Sequence, residues 1–329
     1  MISHRTVLAV VLLLLAGPAL AQARSAAERA QIIERVAGLL EDRYVYPDRG
    51  KELASALRRD VAGDRWSASA TPQAFAQSVT ERLRELSDDG HLRLDFSSRP
   101  LPENDAGIKD HDAAEMDRWY GPKVNHGFES VARLEQGIGY LDLRVFAPVD
   151  MAGDMAQSAM TLLAQSPALI IDLRNNGGGM DEMVALLAGY LFDAPRQLSG
   201  KYDRPSNKLI PMSTPASVPG RRFGGRKPLY ILISPKTFSA AEAFAYDLQA
   251  LGRATIVGQP SGGGAHPFEY RRVDRHFVLS LPEGRSINPI TGTDWEGRGV
   301  TPDVPASADR ALDVALALAK DALARTPGK

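Results

Sequence analysis

One serine in the sequence stands where it could act as a nucleophile. Ser239 lies in the stretch TFSAAEAFA, at the start of a run with helical character. A helix N-terminus offers free backbone N–H groups, but Ser239 and Glu242 also form an S-x-x-E pair, which is the signature of a capping box. A serine is a weak nucleophile unless a base takes its proton. These residues alone therefore leave two roles open for Ser239, a helix cap and a nucleophile.

A glycine triplet could supply backbone donors beside this serine. The stretch ALIIDLRNNGGGM ends an apolar strand with Gly177, Gly178 and Gly179 before a helical run. Ligands of open α/β sheets bind beyond the carboxyl ends of the strands, so this turn and Ser239 should open on the same edge. Glycines can turn N–H groups toward an oxyanion. A simple tight turn remains an alternative, whereas a phosphate cradle lacks the Lys-[Ser/Thr] of a P-loop.

Six histidines are candidates for the base that a nucleophilic serine needs. His91 follows a turn in SDDGHLRLDF, on the polar face of a strand predicted to begin there, and is open to a cleft. A lone histidine of this kind is often structural, so the residues alone do not decide its role. The other histidines lie in the N-terminal segment, in loop-like stretches or beside strands: His4, His111, His126, His266 and His276.

The elements that must position these residues follow from the hydrophobic pattern. Apolar residues recur at helical spacing from 25 to 88, and the period changes to two in HLRLDF. Residues 97–127 are polar and aperiodic, which predicts a linker with a loop. From 137 onward apolar strands alternate with helices, which predicts an α/β core with a mostly parallel sheet covered on both faces. Two hairpin-like strands and a terminal helix over 308–324 follow.

Composition excludes several classes of function. The 39 basic and 40 acidic side chains leave a formal charge of −1 and no basic run, so nucleic acid is not expected as a partner. Without cysteine there are no disulfides, no thiolate catalysis and no cysteine-ligated metal. Residues 1–23 have the charged start, short apolar run and small residues of a signal peptide. We therefore expect a periplasmic or secreted protein without a stable membrane anchor.

Several motifs in order resemble the tail-specific, or C-terminal-processing, serine peptidase family. They are ALIIDLRNNGGG, TFSAAEAFAYDLQALGRATIVGQPSGGGAHP and WEGRGVTPDV, together with the helical unit ending in DGHLRL. The nearest branch includes the tricorn core and the interphotoreceptor retinoid-binding protein repeats. The resemblance implies a crotonase-like core, a small helical N-terminal domain, a peptide or protein substrate, and neither cofactor nor metal. The predicted domains are 1–23 (signal peptide), 24–96 (helical), 97–127 (linker) and 128–329 (catalytic core).

The resemblance also implies roles for particular residues. Ser239 matches the family nucleophile. The processing branch has a lysine base 25 residues further on, where this chain has Gly264. The tricorn-like branch uses a histidine and a glutamate instead, and these match His91 and Glu296, with Glu296 orienting the imidazole. The expected donors to the oxyanion are the backbone N–H groups of Gly178 and Ala240. Gly177 is the less favoured of the two glycines.

The chain departs from the family in two further ways. Tricorn has a serine before its histidine, where this chain has Gly90. Only about 30 residues separate HLRLDF from NHGFE, too few for the PDZ domain that processing peptidases carry. Asp294 lies close enough to Glu296 to compete for the role of the acid.

The expected reaction is peptide hydrolysis through an acyl-enzyme. Two alternatives are a non-catalytic carrier of apolar ligands and an esterase. No Gly-x-Ser-x-Gly elbow is present, which counts against the usual esterase fold.

Overall fold

The computed structural model describes residues 25–105 and 113–325, so the predicted signal peptide lies outside the described residues. The helical N-terminal unit forms as predicted. Ser25 and Glu28 form a reciprocal capping box at the first helix, and the Thr71 side chain accepts the N–H of Ala74 at the third. The three helices are α1 (Ala26–Arg43), α2 (Pro47–Ala62) and α3 (Pro72–Ser87).

The rest of the described chain is a mixed α/β structure. Its helices are α4 (Ala113–Tyr120), α5 (Val149–Leu163), α6 (Asp181–Gly189), α7 (Ala240–Ala250) and α8 (Ala311–Arg325). The strands are β1 (Arg93–Phe96), β2 (Phe128–Arg133), β3 (Gly139–Leu143), β4 (Leu169–Asp172), β5 (Gln197–Asp203), β6 (Lys208–Ser213), β7 (Leu229–Ile233), β8 (Thr255–Gly258), β9 (Phe268–Arg272), β10 (Phe277–Pro282), β11 (Gly284–Ile287) and β12 (Val304–Pro305). None of the helices within 25–105 and 113–325 is long and apolar enough to cross a membrane.

A six-stranded sheet forms the centre of the molecule, with strand order β12-β8-β7-β4-β3-β2. Only the edge pair β2 and β3 is antiparallel, which confirms the mostly parallel sheet. Strands β4 and β7 are fully buried, as their continuous apolar sequences predict. These two strands are parallel neighbours, so the glycine turn after β4 and the Ser239 turn after β7 open side by side.

Two smaller sheets lie outside the central one, with orders β1-β10-β9 and β11-β5-β6. The first of them joins the N-terminal helices to the C-terminal half. Phe277, Leu279 and Leu281 of β10 share one hydrophobic cluster with the apolar faces of α1, α2 and α3. The predicted boundary at residue 96 stays a prediction, since the core on its N-terminal side includes strands from far along the chain.

Two local predictions need correction. Residues 97–127 are not all loop, because α4 and a 3-10 helix over Pro122–Gly127 form there. A helix of eight residues has too few turns to show a clear period. The strand predicted to begin at His91 begins at Arg93, so His91 lies in the preceding turn. The hairpin of β5 and β6 was not predicted from the sequence.

Candidate active site

Ser239 lies at the junction between β7 and α7, directly before the first helical residue. Its backbone has φ 54° and ψ −122°, a conformation that residues other than glycine rarely adopt and that costs about 1–3 kcal/mol. Strain of this kind persists where the surrounding structure enforces it, and it aims the side chain out of the helix. The Oγ atom is 3.1 Å from Nε2 of His91. The two residues are therefore within hydrogen-bond reach, as a nucleophile and its base must be.

His91 is held by its backbone and by two aromatic rings. Its N–H donates to Oδ1 of Asp89 at 3.0 Å. The imidazole lies between Phe238 and Phe268, at centroid distances of 4.7 and 5.4 Å. Burial lowers the pKa of His91 to about 4, against the opposing effect of the Asp89 charge. The ring is therefore neutral at neutral pH and can accept a proton there.

Glu242 has a second task besides the capping box that the sequence suggested. Its buried carboxylate accepts the N–H of Ser239 at 2.8 Å. It also accepts Ser261 Oγ at 2.6 Å and the N–H groups of Gly263 and Gly264 at 2.6 and 2.8 Å. Burial raises the pKa of Glu242, and these hydrogen bonds oppose that rise. Glu242 therefore ties the loop 261–264 to the turn that carries the nucleophile.

The glycine turn packs directly against the nucleophile. Gly178 has φ +112°, and a Cβ atom there would lie 2.9 Å from Cβ of Ser239. Only glycine fits this position. The N–H of Gly178, however, donates to Oδ1 of Asn176 at 2.8 Å. The side chain two residues earlier thus occupies the N–H of Gly178, and its role as an oxyanion donor stays a prediction.

The other predicted donors differ from Gly178. Ala240 is the first residue of α7, and its N–H has no hydrogen-bond partner within the described ranges. The same holds for the N–H of Gly177, which is exposed and has open space where a Cβ would stand. The N-terminus of α7 and the glycine turn thus still offer donors beside Ser239.

Glu296 is not hydrogen-bonded to His91 in this structure. Its Oε2 accepts the N–H of Ala265 and is 3.6 Å from Nδ1 of His266. Oε1 of Glu296 and Nδ1 of His91 are both buried and have no hydrogen-bond partner among the described residues. Oδ1 of Asp294, the competing acid, accepts the N–H of Glu296 at 3.0 Å and so shapes the turn.

A buried group of charged residues that the sequence did not reveal adjoins the base. Asp89 Oδ2 accepts His266 Nδ1 at 2.8 Å and the Tyr44 hydroxyl at 3.0 Å. Burial favours a lower pKa of His266, but the hydrogen bond from its ring to Asp89 and the nearby charges outweigh it, so the pKa is raised. Burial and the Asp89 charge raise the pKa of Glu296 to about 8. One ring nitrogen of His266 and one carboxylate oxygen each of Asp89 and Glu296 lie within 4.8 Å of one another, so the three side chains form one buried group.

A parallel sheet with a strained serine at a helix start, a histidine on its hydroxyl and backbone donors beside it defines the class of serine hydrolases. The family model described as peptidase family S41 matches residues 137–306, which is more than half of the chain. A second model, the N-terminal domain of Peptidase_S41 in eukaryotic IRBP, matches residues 18–117. The chain belongs to peptidase family S41, which confirms the resemblance read from the motifs.

Individual relatives agree with this placement. A carboxy-terminal-processing protease of Bartonella bacilliformis is 26% identical over 178 residues, which are 52% of this chain and 39% of that protein. A putative peptidase from Parabacteroides merdae has a similar fold, with a TM-score of 0.61 at 17% identity over 90% of this chain and 97% of that chain. The photosystem II D1 C-terminal processing protease gives a TM-score of 0.54 at 16% identity over 89% and 98%. This chain matches only 39% of the length of the Bartonella protein, so it spans well under half of that curated relative.

Proposed function

We propose that this peptidase hydrolyses peptide bonds with Ser239 as the nucleophile and His91 as the general base. The observation that carries the proposal is the 3.1 Å contact between Ser239 Oγ and His91 Nε2. The neutral state of His91, which follows from its burial, supports it because a base must be unprotonated before the attack. The strained backbone of Ser239 supports it too, since strain of this kind concentrates at active sites.

The proposed reaction has two halves. In the first, Oγ of Ser239 attacks the peptide carbonyl carbon while its proton passes to Nε2 of His91, which then gives that proton to the departing amine. In the second, His91 takes a proton from water as the water oxygen attacks the acyl carbon; the bond from that carbon to Oγ then breaks, and His91 returns the proton to Oγ as the acid leaves. The N–H of Ala240 and an N–H of the glycine turn would stabilise the oxyanion. Gly177 has a free N–H as it stands, whereas Gly178 must first exchange its bond to Asn176.

Glu296 is proposed as the third catalytic residue. Its Oε2 accepts the N–H of Ala265. The preceding residue, Gly264, packs against the His91 ring, since a Cβ there would lie 2.8 Å from Cε1 of His91. Nδ1 of His91 and Oε1 of Glu296 are both buried without a partner in the described part of the chain. A bond between them would satisfy both atoms and, once Glu296 is ionised above its raised pKa, offset the positive charge that develops on His91.

The substrate and the location follow from the family and from the N-terminal sequence. We propose a peptide or protein substrate, in line with the processing proteases that this chain resembles. The signal-like residues 1–23 support export to the periplasm or beyond the cell. A carrier of apolar ligands, the rival from the same fold, would need neither a serine nor a histidine in mutual contact.

The test is hydrolysis of a peptide library by the wild type and Ser239→Ala. The matched control is Thr71→Ala, which removes a helix cap far from the site and costs about 0.5–2 kcal/mol of stability. We expect Ser239→Ala to stay folded and lose all hydrolysis, and Thr71→Ala to keep it. Equal activity of Ser239→Ala and the wild type would remove the proposal.

A further inference from the structure

One buried histidine beside the base has no part in the proposed reaction. His266 is 3% exposed. Its Nδ1 is 2.8 Å from Oδ2 of Asp89 and 3.6 Å from Oε2 of Glu296. The ring also meets the edge of Tyr46, with the centroids 5.5 Å apart. One imidazole nitrogen therefore faces two carboxylates that come from opposite ends of the chain.

The first of these carboxylates connects His266 to the backbone of the base. Asp89 accepts the N–H of His91 with Oδ1, at 3.0 Å. Its Oδ2 accepts the hydroxyl of Tyr44 at 3.0 Å in addition to His266. A carboxylate with three donors in fixed directions cannot rotate without breaking at least one bond. The turn that carries His91 is thus fixed by α1 on one side and by His266 on the other.

The second carboxylate connects His266 to the wall of the site. Glu296 accepts the N–H of Ala265, the residue before His266. Gly264, one residue earlier, has its Cα against the ring of His91, since a Cβ there would come within 2.8 Å of Cε1. Gly264 therefore lines His91, while Ala265 and His266 contact the proposed acid.

The charges around the two rings act in opposite directions. His266 is faced by Asp89, Glu296 and Asp294, whose charges favour its protonated form. His91 is faced by Asp89, which favours its protonated form. His266, Arg84 and Arg93 favour its neutral form. The buried carboxylates therefore favour protonation of His266, and a positive charge on its ring would oppose protonation of the base.

We propose that His266 is a positioning residue of the peptidase: its Nδ1 holds Asp89 by a hydrogen bond, with Glu296 3.6 Å away, and thereby fixes the turn and the orientation of His91. The inference rests on the proposed function, because it assigns His266 a role in the action of the base. His266, the histidine of SGGGAHP, would then act in the site although it is neither the nucleophile nor the general base.

The experiment compares His266→Gln, which can keep a donor but has no charge, with His266→Ala, which loses both. The control is His276→Gln, a half-buried histidine whose Nδ1 meets the Ser97 carbonyl oxygen at 2.9 Å away from the site. We expect kcat to fall by up to about 100-fold in the alanine variant and less in the glutamine variant, with little change in KM. We also expect the acid limb of kcat/KM to move up by about one pH unit in His266→Gln, because a cation near His91 is lost.

Two further measurements cover the case in which these variants do not fold. Asp89→Asn should move the acid limb down, since it removes the carboxylate that favours protonated His91. In the wild type, ¹⁵N NMR of the histidine rings should show His266 titrating at a higher pH than His91, and the reverse order would overturn the inference. An acid limb in His266→Gln equal to that of the wild type, with kcat intact, would also overturn it. Ser239→Ala in the same series separates the two claims, because an active Ser239→Ala removes the proposed function itself.

Discussion

Two buried histidines lie close together in this molecule, and their pKa values are shifted in opposite directions. His91 and His266 are only 8% and 3% exposed, and burial alone favours the neutral ring in both. His91 has a neutral hydroxyl on Nε2 and two phenylalanine rings in contact with its imidazole, and burial lowers its pKa. His266 has Asp89 on Nδ1 with Glu296 nearby, so its pKa is raised. Direct carboxylate contact therefore shifts the pKa of His266 in the opposite direction to that of His91.

The largest effect should come from removing the neutral ring. His91→Ala deletes the only group within hydrogen-bond reach of Ser239 Oγ among the described side chains. General bases contribute about 10²–10⁴-fold, so we expect turnover to fall within that range while the protein stays folded. Steady-state kinetics measure it, with His276→Ala as the control. Turnover close to that of the wild type would mean that another residue is the base, and His91 and His266 would then not differ in the way described.

A methyl group added at Gly178, beside the nucleophile, should have the next largest effect on kcat. Gly178→Ala places a Cβ 2.9 Å from Cβ of Ser239 at a backbone φ of +112°. A displacement of about 1 Å at the reacting atoms can cost 10²-fold, so we expect a loss of this order in kcat.

Gly252→Ala is the matched control for this substitution. Gly252 has φ +63° and open space around its missing Cβ, so it carries the backbone strain without the contact. The melting temperature should fall by a similar amount in both variants, while only Gly178→Ala should lose activity. Full activity in Gly178→Ala would show that the glycine turn does not border the reacting atoms.

Glu296→Gln should have a smaller effect, and Asp294→Asn a smaller one still. An amide keeps the acceptor for the Ala265 N–H but cannot offset the charge that develops on His91. We expect kcat to fall by about 10-fold or more in Glu296→Gln, in line with loss of one charge-assisted contact. Asp294 accepts the Glu296 N–H, which an asparagine can still do. A greater loss in Asp294→Asn would assign the acid to Asp294.

The smallest effect is a displacement of the pH profile. Protonation of His91 stops the base, so activity is lost as pH falls through its pKa, which burial lowers to about 4. At pH 5.5 a histidine with the ordinary pKa near 6.5 would be about one-tenth neutral, whereas a buried one should be mostly neutral. The rate profile of kcat/KM for the wild type should therefore hold nearly level down to pH 5.5. A fall to about a tenth there would mean that His91 titrates as an exposed histidine.

The sequence predicted the central sheet and the meeting of Ser239 with His91, but not the details around them. Continuous apolar strands gave the sheet, and family motifs gave the two residues. The occupied N–H of Gly178 could not be foreseen, because it depends on which way the Asn176 side chain turns. The pairing of His266 with Asp89 joins residues 177 positions apart, so no local pattern shows it. Local signals reveal elements, and only the folded chain reveals their charged contacts.

The central claim is that Ser239 is the nucleophile, activated by a neutral His91. The most direct measurement treats the wild type with a fluorophosphonate probe at pH 7 and locates the adduct by peptide mass spectrometry. The account predicts a single adduct on Ser239, with slow labelling in His91→Ala and none in Ser239→Ala. An adduct on another serine, or equal labelling of Ser239→Ala, would contradict it.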